Sequence, residues 1–209
     1  MRQVCLLLLG VIVWGAPLAA QAPQGWQVRI DRSQSASDPD DVPELKVMTM
    51  GKGFHVTGGP AGTFWNPANT AAGNYTARAT FALMKPSGHT NYYGLIFGGA
   101  DLAGAGQRYV YFLVAQNGQY LIRSRTGEKV QDVQAATAHA SVRRPGADGR
   151  STNTLEVRVA GNTVSYVVNG TVVHTTPKGG AVGTADGLVG VRVNHQLDVM
   201  IDGFEVVKQ

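Results

Sequence analysis

Residues 153–176 read NTLEVRVAGNTVSYVVNGTVVHTT. Leu155, Val157 and Val159 alternate with Thr154, Glu156, Arg158 and Ala160. Val164, Tyr166 and Val168 alternate with Ser165 and Val167, and Val172 and His174 keep the same period. Successive side chains of a strand point to opposite faces, so a period of two marks strands with one buried face. Gly161-Asn162 and Asn169-Gly170 stand at the breaks, and both residue types tolerate the positive φ of tight hairpin turns. The stretch predicts a three-stranded antiparallel meander.

The same alternation extends outward in both directions. Residues 188–193 and 197–207 read as closing strands after the glycine-rich segment 177–186. Upstream, Tyr109–Ala115 and Tyr120–Ser124 flank Asn117-Gly118, a two-residue hairpin signal. Tyr92–Gly98 is a strand of aromatic and small residues, and Tyr75, Ala77, Ala79, Phe81 and Leu83 share one face of a long strand. Residues 45–48 and 54–56 form a hairpin around Gly51–Gly53, and Trp26–Asp31 is the first strand. Gly58–Gly62 reads as a turn-rich link that delivers Phe64 and Trp65, with a loop over 66–73. Gln131–Ala140, rich in alanine, is the one stretch where a helix is conceivable. Short strands with turn signals every ~8–12 residues predict an all-β, two-sheet antiparallel jelly-roll sandwich, with a closed barrel as the second reading.

The N-terminus has a different character. Arg2 precedes an apolar run from Cys5 to Leu18, followed by Ala19-Ala20-Gln21-Ala22. That order of charge, apolar run and small residues predicts a secretory signal peptide over residues 1–22. The run falls short of the roughly 20 residues of a membrane span. Residues 23–209 are then one exported β-sandwich domain, secreted or periplasmic, with no membrane span. Cys5 is the only cysteine, so the processed chain relies on its core rather than on disulfides. The formal charge is +4, without a Lys/Arg run. The clustered basic footprint of a nucleic-acid binder is missing.

Tyr93-Gly94-Leu95-Ile96-Phe97, Tyr109–Val114 and Asn117–Tyr120 resemble the middle strands of concanavalin A-like lectin/glucanase sandwiches. Asn153–Val157 with Val167–Gly170 resembles their "N-x-L-x-V … V-N-G" hairpins, and Gly187–Val191 with Ile201–Val206 their closing pair. The resemblance implies a concanavalin A-like sandwich over most of residues 25–207. Legume lectins, laminin-G-like domains, laminarinase-type glucanases and the 3-keto-disaccharide hydrolase domain share that fold. The glucanases carry a Glu-x-Asp-x-x-Glu strand, because a retaining glycosidase needs two carboxyls about 5–5.5 Å apart. Here the glutamates are Glu44, Glu128, Glu156 and Glu205, none with an aspartate two residues on. The hydrolase's Asn-Ser-Gly strand and Gly-Glu-Trp-Asn segment are also missing. No catalytic residue is assigned.

The candidate site is therefore a binding site for carbohydrate or a cell-surface glycan. Trp65, Tyr92, Tyr93, Tyr109 and Tyr111 offer flat apolar rings with polar tips, and alternation turns one of Tyr92 and Tyr93 inward and the other outward. Arg123, Arg192 and Asn194 offer donors for hydroxyls. Tyr109, Tyr111, Arg192 and Asn194 are expected on the non-core face of the middle sheet, with Trp65 and His89 on loops at its rim. The resemblance also implies a structural calcium near the last strand, where Asp202 is the candidate ligand. Divergent glycoside hydrolase and structural cell-envelope or adhesion module are the alternative functions.

Overall fold

The computed structural model describes residues 22–209 except Gln34 and Ala36. The leader assigned to residues 1–22 thus lies outside the described residues, Ala22 apart. Among the described residues fourteen strands follow in order: β1 Gln27–Asp31, β2 Lys46–Met50, β3 Gly53–Gly58, β4 Ala61–Ala71, β5 Tyr75–Lys85, β6 Tyr92–Ala100, β7 Arg108–Ala115, β8 Gln119–Thr126, β9 Lys129–Ala138, β10 Ser151–Ala160, β11 Thr163–Val168, β12 Thr171–Pro177, β13 Gly187–Val193 and β14 Leu197–Lys208. They form two seven-stranded sheets. The front sheet has the order β1-β4-β13-β6-β7-β8-β9, and the back sheet β12-β11-β10-β5-β14-β3-β2. All the pairings are antiparallel. Each sheet keeps two edges, so this is a sandwich and not a closed barrel.

Alternation sets which residues meet between the sheets. Tyr93, Leu95 and Phe97 of β6, Val110, Phe112 and Val114 of β7, and Val189, Val191 and Val193 of β13 face inward from the front. Tyr75, Ala77, Ala79, Phe81 and Leu83 of β5 and Leu155, Val157 and Val159 of β10 answer from the back. Phe112 packs edge-on against Tyr166 with ring centroids 5.3 Å apart. Each large apolar side chain among these contributes about 1.5–3 kcal/mol on leaving water.

The meander forms as the sequence predicts. Ala160 pairs with Thr163 across Gly161-Asn162, and Val168 with Thr171 across Asn169-Gly170. Asn169 and Gly170 have φ of +50° and +85°, the two positive values a type I′ hairpin turn requires. Asn169 is also a hub. Its Oδ1 accepts from Thr154 N at 2.9 Å, and its Nδ2 donates to Ser141 O at 2.7 Å and Asn153 Oδ1 at 2.9 Å.

Three expectations are corrected. Residues 131–138 are not helical but lie in β9, an edge strand paired with β8; an open sheet edge overrides the helix preference of a few alanines. Residues 61–71 are not a link and a loop but the long strand β4, held between β1 and β13. The β7–β8 turn has three residues, 116–118, not two. Gly118 N donates to Ala115 O at 3.0 Å and Gly118 has φ +83°, the three-residue hairpin with glycine in the left-handed position.

Candidate functional site

The middle strands β13, β6 and β7 are neighbours in the front sheet, and the residues that alternate away from the core define its outer face. These are Arg29 and Asp31 of β1, Thr63 and Trp65 of β4, and Arg192 of β13. Tyr92 and Ile96 of β6, Tyr109, Tyr111 and Leu113 of β7, and Leu121, Arg123 and Arg125 of β8 complete the set. Trp65, Ile96, Leu102, Tyr109, Tyr111, Leu113 and Leu121 form a second apolar cluster, separate from the intersheet core.

This face is strongly curved. β1 and β8 are five strand steps apart in the sheet, which at ~4.8 Å per step is ~24 Å along a flat sheet. Yet Asp31 Oδ2 lies 3.3 Å from Arg125 Nη1. The two sides of the sheet therefore curl toward each other, and their long side chains meet across the groove.

That meeting builds a charged network. Asp31 accepts from Arg192 Nη1 at 2.6 Å and from Arg29 Nε at 2.9 Å, besides Arg125. Arg192 Nη1 also donates to Thr63 Oγ1 at 2.8 Å and to Tyr109 OH at 3.1 Å, and its Nε to Asn194 Oδ1 at 3.0 Å. Its guanidinium carbon stands 5.9 Å from the centre of the Tyr111 ring, within cation–π range. Gln107, from the loop after β6, joins the network: with its amide oxygen turned toward the arginines it accepts from Arg29 Nη2 at 3.0 Å and Arg125 Nε at 3.3 Å. Burial alone would raise the Asp31 carboxyl, but the Arg192 charge and the hydrogen bonds from Arg192 and Arg29 hold it below its ordinary value. Burial opposes the charge on Arg192, and Tyr109 and Asp31 outweigh it, raising its pKa.

The network decides which expected site residues are reachable. Arg192, Tyr109, Tyr111 and Asn194 come together as the alternation predicts. Tyr109 and Tyr111, however, retain only 2% and 8% of their accessible surface, and Arg192 8%. Trp65 is on strand β4, not on a rim loop, and is buried in the same cluster. Tyr93 is corrected outright: it is buried between the sheets against Phe81, centroids 5.8 Å apart. It shares the parity of Leu95 and Phe97, and that parity is the signal placing Tyr92 outward instead. His89 is exposed on the turn before β6, its Nε2 3.4 Å from Asp40 and 3.0 Å from Asn91 Nδ2.

What stays open is the end of the groove at the start of β6. Tyr92 is partly exposed there, its OH donating to Gln119 Oε1 at 3.1 Å. Asn194 N donates to Tyr92 O at 2.9 Å. Asn117 Nδ2 donates to Gln119 Oε1 at 2.9 Å. Arg123, paired with Tyr111 across β7 and β8, gives its Nε to Asp132 at 2.5 Å and brings its charge near the Tyr92 hydroxyl. One partly exposed ring with amide and guanidinium groups around it can stack on an apolar sugar face and bond its hydroxyls. A separate cleft of about 170 Å³ lies at the opposite end of β7, between Arg108, Arg125 and the 180–186 loop.

Asp202 stands exposed on β14, its Oδ1 accepting from Gly203 N at 2.7 Å. Among the described residues no group of three or more His, Cys, Asp or Glu comes together in a way that could hold a metal ion. Asp38 and Asp41 are engaged by backbone N–H groups of Asp40 and Ser33.

No protein-family model and no curated protein matches the sequence. Solved structures do match the fold. The carbohydrate-binding module CBM66 from Bacillus subtilis superposes with a TM-score of 0.62 at 9% identity, over 88% of this chain and 95% of that one. The carbohydrate recognition domain of Emp46p, in metal-free form, matches at 0.57 and 11% over 88% of each chain. A Bacteroides ovatus GH16 protein in complex with a mixed-linkage glucan product matches at 0.59 and 10%, over 87% and 94%. The chain has the concanavalin A-like jelly-roll fold that these proteins share.

Proposed function

We propose that this chain is a non-catalytic glycan-binding domain, exported through its N-terminal leader, that holds carbohydrate at the open end of the front groove. The observation that carries the reading is Tyr92: a partly exposed ring whose hydroxyl bonds Gln119, within reach of the Arg123 charge, on the curved face of a jelly roll. Fold neighbours whose names mark them as carbohydrate-binding domains support it. The non-catalytic part rests on the carboxyls. Glycoside hydrolysis needs a carboxylic acid whose pKa is raised so that it can give up a proton. The groove's Asp31 is held the other way by its arginines. Among the described residues no helix is long and apolar enough to cross a membrane. The expected partner is a cell-surface or extracellular glycan.

A glycan array with multivalent display, followed by titration calorimetry on the hits, tests the proposal. Tyr92→Ala is expected to abolish binding and, because the ring also packs against the outer-face cluster and bonds Gln119, to lower the melting temperature by a few degrees without unfolding the domain. Binding that survives Tyr92→Ala, or an array without hits, removes the proposed site.

A further inference from the structure

We propose that the outer face of the back sheet is a binding site for one soft monovalent metal ion, Cu(I) or Ag(I), held by Met48, His55 and Met200. The chain has five methionines. Apart from Met1, all of them lie on this one face. Met48 and Met50 project from β2 with 56% and 44% of their surface exposed. Met84 of β5 and Met200 of β14 alternate with the core residues Leu83, Val199 and Ile201 and are half-buried. Methionine is ordinarily a flexible filler of cores, but here valine, leucine and aromatic residues fill the core and none of these four methionines enters it.

The strand register aligns the proposed ligands. Met48 pairs directly with His55, and His55 pairs directly with Met200. Three side chains thus stand abreast on one face of β2, β3 and β14. Directly opposed residues have Cβ atoms about 4.5–5.5 Å apart, a spacing that flexible thioethers can close around an ion next to the imidazole. The imidazole is already oriented. His55 Nε2 lies 2.5 Å from Asp198 Oδ1, two residues along β14 from Met200. A histidine that gives one ring N–H to a carboxylate presents its other nitrogen, Nδ1, as a lone-pair donor, the arrangement typical of metal-binding histidines. Two thioethers and one imidazole are a soft donor set, which selects Cu(I) over calcium, magnesium or zinc. Met50, two residues from Met48, and Met84, two residues along β5 from the Ala82 that faces Met200, stand close enough in the register to serve as further sulfur donors. The face lies on the opposite sheet from the glycan groove, so the two proposals stand or fall separately.

The test titrates the purified protein with Ag(I), and with Cu(I) under ascorbate against a bicinchoninate competitor, while methyl-labelled methionine NMR reads each thioether. The expected result is one ion per chain, with the Met48 and Met200 methyl signals shifting most. The double variant Met48→Leu/Met200→Leu keeps side-chain volume, so it should keep the melting temperature while binding at least tenfold more weakly. Failure to compete with bicinchoninate, equal affinity in the double variant, or tighter binding of Zn(II) than of Ag(I) would each overturn the proposal and leave an exposed apolar patch beside an ordinary His–Asp pair.

Discussion

Removing the Asp31 carboxylate is the sharpest probe of the front groove. Asp31 is the shared acceptor of Arg192, Arg29 and Arg125, whose side chains are 10%, 26% and 19% exposed against 12% for Asp31. The Arg192 contact is buried, and removing one partner of a buried pair costs about 3–5 kcal/mol because the other charge is stranded. The Arg29 and Arg125 contacts reach water and contribute about 0–1 kcal/mol each. Each arginine also keeps other acceptors: Thr63 and Asn194 for Arg192, Gly104 O for Arg29, and Gly127 O for Arg125. The lower end of the range is therefore expected for Asp31→Ala, about 3 kcal/mol. In a domain of this size that lowers the melting temperature by about 6–12 °C. Urea unfolding followed by tryptophan fluorescence reports it well, since Trp65 sits in the adjacent cluster. The sign with pH follows from the lowered carboxyl pKa. The stabilisation is present above the unfolded carboxylate value, about 3.9, and is lost as pH falls from there through the lower folded value. Wild type should lose this increment on acidification, and Asp31→Asn should not. A loss under about 1 kcal/mol, the level of a solvated ion pair, with unchanged acid sensitivity would mean that the groove is open to water, and the account of its closure would fail.

Phe112→Ala and Tyr111→Ala should both cost about 3–5 kcal/mol by denaturant unfolding, although they face opposite sides of the sheet, because each is buried in its own cluster; a nearly neutral Tyr111→Ala would reopen that residue as a ligand contact. Asn169→Gly keeps the left-handed turn but deletes the hub, so a loss of about 1–3 kcal/mol is expected, with Asn169→Ala costing more because alanine must also adopt φ +50°. Calorimetric melts of the two variants read the difference. Laminarin and lichenan should release no reducing ends in the protein's presence. Turnover abolished by Glu156→Gln would contradict this, since Glu156 sits on the back sheet in an ion pair with Arg158 at 2.7 Å.

The sandwich is legible because its strands carry a local signal. Val157 and Tyr166 announce their faces through near neighbours, and Asn169-Gly170 announces its turn through the φ values those residues accept. β9 is not legible as a strand, and its alanines leave a helix conceivable, because its fate depends on an exposed edge of β8, which no local pattern encodes. The site is only half legible for the same reason. Alternation puts Tyr109, Tyr111 and Arg192 on the right face, and it puts Tyr92 and Tyr93 on opposite faces. It carries no information on curvature, and curvature brings Asp31 and Arg29, far away in sequence, down over those rings. Asp31 gives a faint sign of its own, as a charge sharing the parity of Arg29 at the end of an alternating strand. Nothing near it in sequence names three arginines as its partners. The four methionines are plain in the sequence, but their gathering on one face comes from pairing Met48, His55 and Met200 across strands from opposite ends of the domain's sequence.

The sheet orders carry a further consequence, for the order of assembly. β13 lies between β4 and β6, and β14 lies between β5 and β3. A chain cut before Gly187 would own a front sheet split into β1-β4 and β6-β7-β8-β9, and a back sheet split into β12-β11-β10-β5 and β3-β2. Neither layer closes until residues 187–208 arrive, so a nascent polypeptide still tethered by its C-terminus has no finished surface to fold onto. Such late, long-range closure makes folding slow, and it places the pairing of β13 and β14 with their four neighbours among the last steps of assembly.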